Sequence, residues 1–229
     1  TMADRVESLL RSQKELLQAV SHELRTPLAR IKFATELVRS ADDDAKRGKR
    51  IDSIDEATDK LDALVGELLD YTRYDAGAES KHRESISLDD LMEEAIELHS
   101  PLYPGIRFTT TSCSDSPEIY TYRAGLLRAV GNLVSNAGKY AKSEVHVSVH
   151  KCDEQWCIHV EDDGEGIAEA DRESVFAPFK QLSVGSHPGT GLGLALVRRI
   201  CRRIGGDVSV EPSSLGGARF TITVDIESS

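Results

Sequence analysis

The apolar positions of the N-terminal third fall on two long stripes. Leu10, Leu17, Val20, Leu24, Ile31, Ala34 and Val38 are separated by steps of three, four or seven residues. This spacing predicts an amphipathic helix from about residue 4 to Ser40, with a coiled-coil-like seam. The polar run Ala41-Asp42-Asp43-Asp44-Ala45-Lys46-Arg47-Gly48 interrupts the pattern and reads as a turn. A second stripe follows in three-four alternation, Ile51, Ile54, Thr58, Leu61, Val65, Leu68 and Thr72, widened by Leu64 and Leu69. Two long helices joined by a short turn make an antiparallel hairpin. A lone hairpin leaves part of each stripe wet, whereas pairing two hairpins into a four-helix bundle buries both. A homodimer is therefore expected. The alternative is a monomer that covers the stripe with its own second domain.

Residues 75 to 87 lose the period and gain Gly, Ser and charge, which marks a linker. The division expected is a helical hairpin over 1–75, a linker over 76–87 and a second domain over 88–229. In that domain helices and strands mix. Leu88 to Leu98, Arg123 to Tyr140 and Leu192 to Ile204 carry helical patterns, the first opened by Ser87 as an N-cap and the last closed by Gly205-Gly206. Ile106 to Thr111, Ile119 to Tyr122, Val145 to His150, Trp156 to Glu161, Val208 to Val210 and Arg219 to Val224 read as strands, with Lys151 to Gln155 turning a hairpin. The fold class is α+β multidomain: a helical hairpin, then an α/β sandwich with helices on one face of a mixed sheet.

Composition narrows the partners. Hydrophobic residues make up 39% of 229, enough for two modest cores. The formal net charge of −11 disfavours nucleic acid and anionic membrane surfaces. Cys113, Cys152, Cys157 and Cys201 show no zinc-ligand spacing and no dense disulfide pattern. They read as reduced thiols, with a Cys152–Cys157 approach across the hairpin as the alternative. No run of about 20 apolar residues is present. The opening Thr1-Met2-Ala3-Asp4 drops straight into a helical pattern, so a piece of a longer chain is expected.

Five groups of residues carry candidate chemistry. In the first helix, at about 100° per residue, His22 points roughly 160 to 200° away from Val20 and Leu24. Glu23 stands beside it, Thr26 lies one turn on, and Pro27 removes a donor and is expected to bend the helix. Taken alone this is a solvated polar face containing one histidine. In the predicted helix 123–140, Asn132 and Asn136 share a face one turn apart. Their carboxamide oxygens are hard ligands of the kind Mg²⁺ takes, although two solvated asparagines would look the same. Asp162-Asp163-Gly164-Glu165-Gly166-Ile167 follows a strand, placing a carboxylate at its end and then glycines that admit close backbone approach; an ordinary turn is the alternative. Gly189-Thr190-Gly191-Leu192-Gly193-Leu194 opens the last long helix, a placement suited to cradling phosphate through backbone N–H groups. Its spacing is not the dinucleotide-binding one, and no strand leads directly into it. Val175-Phe176-Ala177-Pro178-Phe179 precedes that loop.

Together these groups resemble, in order, the motifs of sensor histidine kinases of two-component systems. His22-Glu23-Leu24-Arg25-Thr26-Pro27-Leu28 is similar to the phosphoacceptor motif, and the other four resemble the N, G1, G2 and F boxes of the Bergerat-fold ATP-binding domain. The resemblance implies autophosphorylation of His22 from ATP and Mg²⁺. A receiver-domain aspartate of a response regulator would then accept the phosphoryl group, and a phosphatase activity would use Thr26 to orient water. Glu23 would orient the imidazole. Asn136 would hold Mg²⁺ and Asn132 would line the nucleotide site, with Lys139 and Tyr140 beside the phosphates. Asp162 would accept from the adenine amino group, flanked by Gly164, Gly166 and Ile167. The F box ending at Phe179 would anchor a mobile lid over residues 180 to 188, which includes His187 and begins with Lys180, the residue to which a γ-phosphate contact could move. Relatives often carry x-Arg after the second Phe of the F box, where this chain has Lys180-Gln181. The family also implies a membrane-spanning sensor segment upstream, making this chain the cytoplasmic part of an inner-membrane receptor. Two rivals remain at this stage. One is a gyrase- or chaperone-type ATPase, whose water-activating Glu would stand where Asn132 does. The other is a dimeric scaffold that binds ATP and signals by shape.

Overall fold

The computed structural model describes residues 2–40, 43–73, 82–112, 117–182 and 190–225. It divides into two units, Thr1–Leu69 and Asp70–Ser229.

The first unit is the helical hairpin. Helix α1 runs from Met2 to Arg39, continuous through Pro27, and α2 runs from Asp44 to Arg73. Asp43 Oδ1 accepts from the N–H of Ala45, satisfying one of the open donors at the start of α2. Arg30 Nη1 lies 3.8 Å from Glu56 Oε1, linking the helices. Val20, Ala34, Ala57 and Leu64 are buried. Leu17, Leu28, Phe33, Ile51, Val65 and Leu69 stay exposed. The stripe read from the second helix thus splits. Its period is helical, but the positions buried within one chain are Ala57 and Leu64, one step to the side of the alternation through Ile51 and Val65. No helix among the described residues is long and apolar enough to cross a membrane.

The second unit is built on a five-stranded sheet in the order β2-β4-β5-β7-β6. Its strands are β2 (Arg107–Thr111), β4 (Glu144–Cys152), β5 (Gln155–Asp162), β6 (Asp207–Pro212) and β7 (Ala218–Asp225). β2 and β4 are parallel and the other neighbours antiparallel. Helices α3 (Leu88–His99), α4 (Arg123–Tyr140) and α5 (Gly193–Arg203) pack on one face. Alternation along each strand sends Val145, Val147 and Val149, Trp156, Ile158 and Val160, and Phe220, Ile222 and Val224 toward them. Leu126, Val130, Leu133 and Val134 of α4 meet this layer, and all four are fully buried. Ser87 Oγ accepts from the N–H of Asp90, the N-cap expected for α3.

Two findings differ from expectation. Glu84–Ser87, placed by the sequence in the linker, forms strand β1, paired antiparallel with β3 (Glu118–Thr121) in a separate two-stranded sheet. Four residues with one buried side chain, Ile86, are too few to show a period of two. Cys152 and Cys157, read as reduced thiols, are joined as a disulfide, because the β4–β5 register brings their Cα atoms to 6.0 Å. Cys201 is free and buried, and burial pushes its thiol up to about 12. Cys113 and most of the expected linker, residues 76–81, lie outside the described residues.

Candidate functional site

The floor of the site is the end of β5. Asp162 is only 2% exposed, and its Oδ1 accepts from the N–H of Gly164 at 2.8 Å and of Ala218 at 3.2 Å. The N–H of Gly217 donates to the Asp162 carbonyl at 3.1 Å. This close packing requires glycine. A Cβ at Gly217 would stand 2.1 Å from Asp162 Oδ1, and one at Gly164 would stand 2.5 Å from the Tyr140 carbonyl oxygen. Burial raises the affinity of Asp162 for its proton against the pull of the two N–H bonds, and the neighbouring Asp163 and Glu161 charges add to the rise. Ile167 packs half-buried against the core nearby. Gly217 and Ala218 were missed by sequence reading. The available signal was the Gly216-Gly217 pair before β7, which looks like any hairpin turn.

Asp163 does a different job. Its Oδ1 accepts from the N–H groups of Lys142, Ser143 and Glu144 at 2.8, 3.1 and 3.2 Å, and Ser143 Oγ donates to Oδ2 at 2.6 Å. Desolvation opposes its ionisation, but these donors outweigh it and hold the carboxyl well below the usual range. The carboxylate therefore ties the turn after α4 to the end of β5, fixing the last residues of α4 beside Asp162. Its role is positional, and the sequence reading, which singled out Asp162, gave it none. Glu161 is likewise held by Arg219, Ser213 and Ser214, whose bonds outweigh its desolvation and lower it.

Helix α4 supplies the next wall. Asn132 and Asn136 are half-buried, one turn apart. Asn132 Nδ2 donates to the Arg128 carbonyl at 2.9 Å, and its Oδ1 would lie 3.0 Å from a Cβ at Gly193. The carboxamide is thus turned toward the start of α5, and Gly193 leaves it room. Lys139 Nζ sits 5.0 Å from the Tyr140 ring centroid, holding a cation at the end of α4. Two carboxamides one turn apart could serve an oxygen-ligated dication, and a deep carboxylate suits a hydrogen-bond donor such as an amino group.

The F-box segment and the glycine-rich loop meet at their backbones. Phe179, at φ 63°, donates its N–H to the Gly191 carbonyl at 2.8 Å, and Gly191 has φ 73°. The N–H of Leu192 donates to Thr190 Oγ1 at 3.2 Å just before α5 begins. Leu192 is buried and Leu194 packs against the core. Lys180 Nζ lies 3.6 Å from Asp171 Oδ1. Gly189 and the expected lid residues 183–188, with His187, lie outside the described residues.

On α1, His22 has a side chain 76% exposed, and its Nδ1 is 3.5 Å from Glu23 Oε1. Thr26 is exposed one turn further on. The structure therefore collects the expected residues into two groups. Asp162, Gly164, Gly166, Ile167, Asn132, Asn136, Lys139, Tyr140, Phe179, Lys180 and Thr190 to Leu194 belong to the second unit. His22, Glu23 and Thr26 belong to the first.

Known proteins match both groups. Residues 12–77 match the His Kinase A (phospho-acceptor) domain, and residues 121–228 match the histidine kinase-, DNA gyrase B- and HSP90-like ATPase. The sensor protein RstB of Escherichia coli K12 is 32% identical over 97% of this chain and 51% of its own length. The chain spans about half the length of the curated relatives it matches. Among solved structures, the ATP-binding domain of PrrB from Mycobacterium tuberculosis is 30% identical, with TM-score 0.55 over 65% of this chain and all of that one. Full-length ShkA in complex with AMPPNP is 27% identical, with TM-score 0.67 over 94% of this chain and 47% of that one.

Proposed function

The chain belongs to the sensor histidine kinases of two-component systems, and from that premise we propose that it uses ATP to phosphorylate His22 and passes the phosphoryl group to an aspartate of a response regulator receiver domain. The observation that carries the reading is the exposed His22 ring with Nδ1 turned to Glu23. From there a slight rotation of the ring brings Nδ1–H within hydrogen-bond reach of the carboxylate, which would leave the Nε2 lone pair outward as the nucleophile. Glu23 also stabilises positive charge that grows on the ring as Nε2 bonds to the γ-phosphorus and the bond to the β-phosphate oxygen breaks.

In the second unit, Asp162 Oδ1 is engaged by two N–H groups, so the carboxylate is fixed and its other oxygen can accept from the adenine amino group. Gly164 and Gly166 let the loop pack on the Tyr140 and Gly217 carbonyls, which holds it beside Asp162. The loop from Thr190 into the start of α5 at Leu194 would present N–H groups to phosphate oxygens, that of Leu192 being held by Thr190 Oγ1. Asn136, with Asn132 beside it, would hold Mg²⁺, which when bound offsets triphosphate charge. Lys139 adds a cation at the same end of α4. Lys180 takes the place nearest that of the arginine common after the F box, although its present partner is Asp171.

The exposed stripe through Ile51, Val65 and Leu69 supports a homodimeric four-helix bundle. Thr26, one turn beyond His22, is placed to orient water in a phosphatase reaction on the regulator. The reading extends to a cytoplasmic part of an inner-membrane receptor, in keeping with a chain that spans about half the length of the sensor proteins it matches.

Incubation with γ-labelled ATP and Mg²⁺ tests the central step. Acid-labile, base-stable label on the wild type, absent from His22→Gln, is the expected result. Steady ATP hydrolysis unchanged by His22→Gln would instead favour a gyrase-type ATPase.

A further inference from the structure

The sheet face turned away from the helices gathers a set of soft ligands that nucleotide chemistry does not use. On β4, alternation puts Ser148, His150 and Cys152 on that face. The register sets His150 opposite Cys157 and Ser148 opposite His159, which brings both β5 residues to the same side. Sγ of Cys152, Sγ of Cys157 and a ring nitrogen of His159 all lie within 4.8 Å of one another. The His150 ring is 5.2 Å from that of His159, and its Nε2 is 3.0 Å from Ser148 Oγ. Cys157 is buried, while Cys152 and His159 are half-buried.

We propose that in its reduced form the β4–β5 hairpin binds a zinc-class dication through Cys152, Cys157 and His159, with His150 as the fourth ligand. Two thiolates and two imidazoles are a standard tetrahedral zinc set. Thiolates about 2.3 Å from a tetrahedral ion stand roughly 3.8 Å apart, so once the disulfide is reduced, side-chain rotations must part the two sulfurs to admit the ion. A hydrogen bond from His150 Nε2 to Ser148 Oγ leaves Nδ1 as the ligand atom and makes Ser148 its outer support. Magnesium prefers oxygen and leaves this set alone. Cys157 precedes Asp162 by five strand residues, about 16 Å, so the two sites are separate.

The disulfide and the metal site exclude each other. A dithiol reductant converts one to the other: the S–S bond breaks, two Cys thiols form, and the reductant becomes its own disulfide. Half-exposed Cys152 gives the attacking thiolate access. On binding, each thiol loses its proton to solvent as its sulfur bonds the metal.

Cobalt(II) reports the ligands by colour. The full chain is reduced, stripped with chelator, freed of reductant and titrated under argon. One equivalent should give thiolate-to-cobalt charge-transfer bands, displaced by one equivalent of zinc and absent once the cysteines are reoxidised. His159→Gln should weaken binding by more than the roughly 10- to 100-fold typical of losing an outer-shell partner. Cys157→Ser should abolish the bands, with circular dichroism reporting its fold; if that buried substitution unfolds the chain, half-exposed Cys152→Ser replaces it. No bands from reduced wild type, or bands that persist in a folded cysteine variant, would overturn the site.

Discussion

The N–H of Phe179 donates to the carbonyl of Gly191 at 2.8 Å, and both residues hold positive φ. One bond thus joins the two flanks of the segment between them, and only one of the two residues is a glycine. The strain of a left-handed phenylalanine, about 1–2 kcal/mol, is tolerated because that bond and the surrounding contacts fix it.

Gly191→Ala follows directly. Its Cβ would lie 2.7 Å from the Phe179 carbonyl carbon and 2.8 Å from Phe179 Cα, in a φ region that disfavours alanine. The flanks must separate, so affinity for a fluorescent ATP analogue should fall by about tenfold or more, equivalent to about 1.4 kcal/mol. The melting temperature should fall only slightly, since the loop lies outside the core. Unchanged affinity would show that the Phe179–Gly191 pairing does not support nucleotide binding.

Asp162→Asn separates shape from charge. An asparagine oxygen can still accept from Gly164 and Ala218, but its amide nitrogen would face the adenine amino group donor to donor. Hydrogen bonds to charged groups contribute about 1.5–3 kcal/mol, so ATP affinity should drop roughly 10- to 100-fold. A matched loss for GTP, measured by competition, would argue that the residue does not read the base.

The helices of the second unit were legible because their burial is one-sided: Leu126, Val130, Leu133 and Val134 mark α4 on period alone. Asp162 and Gly164 were legible as a motif, since carboxylate and glycine adjoin in the chain. Gly217 was not, because its packing on Asp162 Oδ1 is a contact between residues far apart in sequence. The Cys152–Cys157 bond depends on strand register, which spacing alone left open. In α2 the period was readable but not its use, because one apolar stripe on a helix serves two neighbours. Ala57 is small enough to vanish beside the more regular Ile51 and Val65, and Leu64 read only as a widening of the stripe.

That division gives a test of assembly. Ile51 and Val65 are 45% and 42% exposed, so charge there costs little within one chain. Ile51→Asp with Val65→Asp should convert a dimer to a monomer by light scattering while helical circular dichroism persists. A dimer of unchanged mass would place the bundle contact elsewhere.

Thr26→Ala should separate two activities. The hydroxyl is exposed on the His22 side of α1, one turn beyond the His22–Glu23 pair. Autophosphorylation should stay within about twofold, while dephosphorylation of a phosphorylated regulator falls by the roughly 10²- to 10⁴-fold typical of losing a group that assists proton transfer. Equal losses in both would remove the water-orienting role.

Asp163 links the site to acid stability. Its folded pKa lies below the unfolded value near 3.9, because Ser143, Glu144 and Lys142 donate to the carboxylate. A depressed carboxyl contributes stability that is present above the unfolded pKa and is lost as pH falls toward the folded one. Glu161, also lowered, acts in the same direction. Asp162 is raised, so it acts in the opposite direction and is relieved by protonation. Wild-type melting temperature should therefore fall between pH 5 and pH 3 by an amount that Asp163→Asn reduces, the variant being less stable than wild type at pH 7. Curves that stay parallel across this range would mean that the Asp163 carboxylate does not tie the end of α4 to β5.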